Sequence, residues 1–192
     1  MTRTERSAPN IDIMVDSKRW KDHARTKTVV RRAVIQAAAT TRSTRRAGLA
    51  ILLTDDSAIR VLNRDWRGID KATNVLSFSA KSGNPERHLG DIVLAFETVA
   101  REARAEHKPF AHHVAHLAVH GFLHLIGYDH ERDEDALEME QAERKILREL
   151  DIPDPYRSEP IAKRATAPRP PKPRAHRPPQ RKSRLRKSKN LL

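Results

Sequence analysis

The chain has 192 residues, no cysteine and a formal net charge of +13. That length suits one domain with a proper core and is short for two, while the missing cysteine excludes disulfides and thiolate metal sites. No apolar run approaches the ~20 residues needed to cross a bilayer. The opening MTRTERSAPN lacks the apolar stretch of a signal peptide, so the expectation is a soluble, cytoplasmic protein with no membrane partner.

Charge is unevenly spread. Residues 160–192 hold 12 Lys and Arg and no acid, residues 1–46 carry +8, and residues 47–159 carry −7. The basicity therefore sits at the two ends, and the central stretch is acidic.

In chain order, Ile11, Ile13 and Val15 alternate with Asp12 and Met14 as in a short strand. Ser17 offers an N-cap for a long helix in which Trp20, Val30, Val34 and Ala37 share an apolar face. GLAILLT (48–54) is a continuous apolar run of strand length, suited to a strand covered on both faces. A short helix is expected from about Asp55 to Arg64. TNVLSFS (73–79) and DIVLAF (91–96) are strand candidates, joined by the loop SGNPERHLG.

Glu97 to Glu106 and Phe110 to Ile126 read as helices, the second ending near Gly127. A last helix starts near Asp133, where Leu137, Met139, Ile146, Leu147 and Leu150 recur at helical spacing. The expected class is α+β, layered: a mixed sheet of about four strands with helices packed on it. Residues 1–159 would form the domain. Residues 160–192, with seven prolines and scarcely any apolar residue, would form a basic tail that is disordered in isolation.

HGFLHLIGYDH (120–130) carries the chemistry. His120 and His124 stand four apart, so on a helix they project from one face, about 6 Å apart along the axis. Gly127 permits a left-handed backbone that ends the helix and turns the chain back, so that His130 can supply a third nitrogen. Spacing of this kind suits one zinc ion on the central helix and the turn after it. Structural zinc sites are closed by four protein ligands, whereas three leave a position for water or substrate, and zinc makes water acidic enough to act near neutral pH.

The competing explanation is a packed or solvated histidine face. His112, His116, His120 and His124 form a continuous i,i+4 ladder, with His113 beside it. The glycine turn favours the metal reading, because a mere helix face needs no return to His130. His116 is the leading rival ligand. Metzincin peptidases share the spacing but place a glutamate after the first histidine as general base. Here that position is Gly121, and peptidase chemistry by that route has no base.

HGFLHLIGYDH resembles the signature of the YbeY family of bacterial single-strand-specific endoribonucleases, which take part in ribosomal RNA maturation. NRDWRGIDKATNVLSFS (63–79) is similar to the family's Arg-containing loop and following strand. HLGDIVLAFETVAREARAEH (88–107) is similar to its glycine–aspartate strand and next helix. The likeness covers about residues 10–156 in the same order. It implies zinc held by His120, His124 and His130, with Arg67 as the basic residue associated with RNA cleavage. Trp66 stands where Tyr is common, and Ala72 where Pro is common. The tail beyond about Pro160 has no counterpart.

Arg67 has its own chemical logic. A guanidinium fork matches phosphate oxygens and can stabilise charge developing on them. Its ordinary alternative is a surface ion pair with Asp65 or Asp70. The implied activity is cleavage of single-stranded rRNA or its precursors, at the 16S 3′ end and in ribosome quality control, with a ribosomal subunit as partner. Two other functions stay open: a non-catalytic ribosome-assembly factor with structural zinc, and a metallohydrolase of another substrate class. The nucleophile is open as well, and a 2′,3′-cyclic phosphate on cleaved RNA would contradict direct attack by water. Asp129 and Glu131 are candidates for the general base or for a helix-capping or supporting role. The basic tail suits sequence-independent, salt-sensitive affinity for RNA, or else serves only solubility.

Overall fold

Residues 8–42, 47–80, 88–130 and 132–157 are described by the computed structural model. β1 (Asn10–Val15) is followed by a 3-10 turn (Lys18–His23), α1 (Thr26–Thr41), β2 (Gly48–Thr54) and α2 (Asp56–Arg67). Then come β3 (Val75–Ser79), β4 (His88–Ala95), α3 (Phe96–Ala105), α4 (Phe110–Leu125) and α5 (Asp133–Arg148). The fold is α+β, as the pattern of runs implied.

The four strands form one sheet in the order β1-β2-β4-β3. β2 runs parallel to both β1 and β4, while β3 pairs antiparallel with β4 and forms one edge. The apolar run of β2 is thus interior to the sheet. Leu49, Ile51 and Leu53 face the main core, and Leu52 meets a smaller cluster on the opposite face.

α1, α4 and α5 pack together, and α4 also lies on β3 and β4. α2 covers the other face, where Ile59 and Leu62 meet Leu76 and Val93. At the start of β4 the pairing of Gly48 with His88 is followed by that of Leu49 with Gly90, so Leu89 is an extra, bulged residue. The bulge lets Leu89 join the same core as Ile92 and Leu94.

The expected long helix from Ser17 is divided. Trp20 donates its indole N–H to the Thr54 carbonyl at 2.8 Å and meets Phe96 edge-on, whereas Val30, Val34 and Ala37 are buried in α1. The chain breaks between them at Ala24 and Arg25, and Ser17 makes no side-chain cap. Asp55 is the N-cap of α2, accepting from the Ala58 N–H at 3.1 Å. Gly68, at φ +74°, ends α2 three residues beyond the expected Arg64, so Arg67 lies in the last helical turn and not in a loop.

His88–Gly90, expected in a loop, belong to β4; the rest of that loop and the tail lie outside the described residues. Leu137 is 52% exposed, so it is not part of the apolar face it was grouped with. Leu150 lies beyond the end of α5 and is half-buried.

α4 is apolar on nearly every side, the pattern of a helix enclosed by its neighbours. Its approach to the sheet is close at Gly121, where an added Cβ would stand 3.0 Å from both Ile92 Cγ2 and Ser77 Oγ. Gly90 is tighter still: at φ +139°, a Cβ would come within 2.1 Å of the Phe78 carbonyl oxygen. Gly121→Ala should destabilise the protein by about 1–3 kcal/mol, and Gly90→Ala by more, because backbone stands in the way. Urea unfolding of the two variants beside the parent checks both the size and the order.

Candidate metal centre

α4 ends where the glycine signal placed it. Gly127, at φ +98°, lets the Tyr128 N–H reach the Leu123 carbonyl at 3.0 Å while its own N–H reaches the His124 carbonyl at 3.1 Å. These two bonds close the helix C-terminus and swing the chain back over its last turn. The Asp129 carboxylate then accepts the His130 N–H at 2.7 Å, which pins the returning backbone. Asp129 therefore serves the turn. Glu131 lies outside the described residues.

The structure brings His120, His124 and His130 together, each offering one nitrogen, with all three nitrogens within 4.8 Å of one another. Among the described residues this is the only such group of three histidines or carboxylates. His120 Nδ1–H donates to Glu143 Oε1 at 2.8 Å, and His124 Nδ1–H donates to the Tyr128 carbonyl at 3.0 Å. Both acceptors are pure acceptors, so each outer nitrogen carries the proton and each Nε2 turns its lone pair inward. The two Nε2 atoms face each other at 3.1 Å. Two lone pairs that close call for a cation between them. Nitrogens on a tetrahedral zinc, each bonded at 2.0–2.1 Å, stand roughly 3.3–3.4 Å apart, so the pair already has nearly the required spacing.

The His130 ring lies 4.9 Å from His124 and 5.7 Å from His120, centroid to centroid. His130 is exposed, and its two partners are half-buried. The centre is thus walled by α4 and reachable from solvent on the side of the returning turn. Burial first, then the neighbouring His120 and His130, lowers the His124 pKa from its ordinary 6.5 to about 4. A neutral imidazole is the form that ligates a metal.

His116 does not point into this group. Its Nε2–H donates to Glu143 Oε2 at 3.0 Å, and His113 Nε2 pairs with Glu102 at 2.9 Å. The i,i+4 ladder therefore divides: His116 is held by the buried carboxylate of Glu143, as His113 beside the ladder is by Glu102, while His120 and His124 face the centre. Glu143 was not singled out from the sequence, because an acid amid the charged run of α5 carries no local signal.

Arg67 is half-buried in the last turn of α2, and burial pushes its guanidinium down from its ordinary value while leaving it charged. Neither expected ion-pair partner holds it: Asp65 pairs with Arg64 at 2.9 Å and Asp70 with Arg60 at 2.7 Å. Trp66 packs on Phe78 at 5.5 Å between centroids, so this end of α2 lies against the far end of β3. Leu125, at the end of α4, reaches the space beside Gly90, which pairs with Ser79 at that same end. Arg67 and the histidines therefore share one end of the sheet, on opposite faces, with edge strand β3 between them. Gly121 faces Ile92 and Ser77, so the position of the metzincin glutamate is closed by packing.

The class so defined is an α+β layer with three histidines that could hold a metal ion at the end of an enclosed helix. Comparison with known proteins narrows it. The family model described as "Endoribonuclease YbeY" matches residues 12–151. The endoribonuclease YbeY of Nitrobacter hamburgensis is 55% identical over 156 residues, covering 77% of this chain and 82% of that one. That of Bradyrhizobium diazoefficiens is 50% identical over 167 residues, covering 83% and 91%, and that of Nitrobacter winogradskyi is 54% identical over 158, covering 78% and 83%. The chain belongs to the YbeY family. No helix among the described residues is long and apolar enough to cross a membrane.

The histidine assignment has a spectroscopic consequence. In metal-free protein the His124 ring should stay neutral as pH falls through 6.5 and titrate only near 4. Because the unfolded chain takes up that proton first, this group removes stability as pH falls from 6.5 to 4. An NMR titration of the ring carbons reads the midpoint, and a value near 6.5 contradicts the described packing.

Proposed function

We propose that this chain is a zinc-dependent, single-strand-specific endoribonuclease acting in rRNA maturation, with His120, His124 and His130 as the ligands of one ion. Family membership over residues 12–151 supports the reading. The observation that carries it is the pair of inward-turned Nε2 atoms 3.1 Å apart, with His130 beside them. When bound, zinc supplies a Lewis acid toward a phosphate oxygen or a water molecule.

The protein's own residues do the rest. His120 and His124 keep their protons on Nδ1, so the coordinating lone pairs stay free. Asp129 holds the His130 backbone, which keeps the third ring at the mouth of the centre. Arg67 is the residue proposed to contact the scissile phosphate. It is half-buried, and no ion pair or hydrogen bond among the described residues competes for its fork. A guanidinium without a rival anion is prepared for a phosphate and stabilises charge that grows there. A single strand lying across the β3 edge would meet both Arg67 and the histidines, whereas a duplex is too stiff to fold closely round that edge.

The ribosomal subunit is the proposed partner, and processing of the 16S 3′ end with ribosome quality control the proposed setting. A cytoplasmic location follows from that partner. The basic segment from residue 160 onward begins four residues after Tyr156 in the sequence, and the Tyr156 hydroxyl donates to Glu143 in the wall of the centre. Its 12 cations would raise the local concentration of RNA there by counterion release.

Metal analysis tests the ligands. His120→Ala, His124→Ala and His130→Ala should each lose the ion, while His116→Ala still takes one equivalent at saturating zinc. Loss in His116→Ala together with retention in His120→Ala would overturn the assignment. Arg67→Ala should cut cleavage of single-stranded RNA by roughly 10²–10³-fold with folding and metal content unchanged. Wild-type cleavage in that variant would remove Arg67 from the chemistry, whereas no cleavage by the zinc-loaded parent would leave a non-catalytic assembly factor as the better reading. Removing residues 160–192 should weaken RNA binding at low salt and leave zinc content intact, and filter binding across a salt series measures it.

A further inference from the structure

Beyond the three histidines, the wall of the centre contains a carboxylate with no solvent contact. Glu143, on α5, is 0% exposed. It receives His120 Nδ1–H on Oε1 at 2.8 Å, His116 Nε2–H on Oε2 at 3.0 Å, and the Tyr156 hydroxyl on Oε2. An unpaired buried carboxylate would be costly, but three donors satisfy this one in its charged form. Tyr156 is itself fixed. Arg144 lies over its ring at 5.1 Å, the Asp154 carboxylate accepts its backbone N–H at 2.9 Å, and Lys108 Nζ holds the Pro155 carbonyl at 3.0 Å. His116 meets the Tyr156 ring edge-on at 5.7 Å. The turn after α5 is thus strapped onto the back of the centre.

We propose that Glu143 is the positioning residue of the metal centre: clamped by His116 and Tyr156, it fixes the tautomer and orientation of His120 and sets the affinity of the site for zinc. The inference rests on the reading that His120, His124 and His130 hold the ion.

Its physical basis is the number of donors. Oε1 can accept only if the His120 proton is on Nδ1, so Nε2 is left bare for the ion. The negative charge behind the ring also makes that nitrogen a stronger donor to a cation. His116, which looks like a fourth ligand in sequence, here fills the second oxygen of Glu143 and stops the carboxylate from turning. Glutamine in place of Glu143 keeps the shape, loses the charge, and offers one acceptor oxygen to two imidazole N–H groups. Whichever way its amide faces, an NH2 group meets an imidazole N–H or a proton must move to the other ring nitrogen, and the charge is gone in either case.

The test uses the full-length chain. Zinc affinity is measured by competition with a chromophoric chelator for the parent, Glu143→Gln and Tyr156→Phe, with urea unfolding of each metal-free form to report folding. Glu143→Gln should bind zinc on the order of 10- to 100-fold more weakly. Tyr156→Phe, which keeps the carboxylate but loosens it, should show a smaller loss in the same direction. Nitrogen-15 shifts of the metal-free rings should show His120 protonated on Nδ1 in the parent and redistributed toward Nε2 in Glu143→Gln. A merely structural carboxylate would lower stability without moving that tautomer or the cobalt(II) spectrum of the substituted site.

A folded Glu143→Gln protein with zinc affinity within twofold of the parent and an unchanged His120 tautomer overturns the proposal. Should that variant not fold, Tyr156→Phe with affinity within twofold of the parent overturns it. His120→Ala separates the two levels. If it still binds zinc like the parent, the ligand assignment fails and this proposal with it; if it loses zinc while Glu143→Gln does not, only the role of Glu143 is lost.

Discussion

Enclosure of α4 is the constraint from which the rest of the structure follows. The helix is packed by α1 and α5 and pressed onto β3 and β4, with Gly121 allowing an approach no side chain would permit. A helix so placed has almost no solvent in which to hide polar groups. The four histidines from His113 onward find partners within the protein, without which their burial would cost more than the surrounding apolar contacts return. His113 finds Glu102, His116 and His120 find Glu143, and His124 finds the Tyr128 carbonyl.

Those partners decide what each histidine can do. A ring whose outer nitrogen is satisfied by an acceptor turns its lone pair the other way, and for His120 and His124 that way is toward His130. His113 and His116 meet their carboxylates through Nε2 instead, which leaves their Nδ1 atoms buried and without a partner. The same residue type, repeated along one helix, is divided into members held by carboxylates through Nε2 and members that turn Nε2 toward one another, by which nitrogen the tertiary structure occupies. Glu143 stands at that division, touching one histidine of each kind.

The other end of the functional surface depends on the sheet. β3 is a short edge strand whose two faces carry different helices. Ser77 lies under α4, and Leu76 and Phe78 lie under α2. The Trp66 contact with Phe78 draws the last turn of α2 to the end of β3 at which α4 terminates. Arg67 then occupies a half-buried position with Asp65 and Asp70 already taken by Arg64 and Arg60. Among the described residues no anion pairs with it, although residues 47–159 are acidic as a whole.

What the sequence alone settled is what lies close along the chain. The H-x-x-x-H-x-x-G-x-x-H run shows the centre because helical pitch and one left-handed glycine place all three rings within eleven residues. The apolar runs reveal the strands because period and length are local properties. The break between Trp20 and Val30, the extension of α2 to Arg67 and the exposure of Leu137 were not readable, since each depends on which distant surface the side chain meets. Glu143 and Tyr156 are the clearest case. They reach the centre across 23 and 13 residues of separation, from His120 to Glu143 and from Glu143 to Tyr156, and no pattern in α5 distinguishes that glutamate from its neighbours. Local geometry fixed where an ion can sit, and only packing decided which nitrogens would face it.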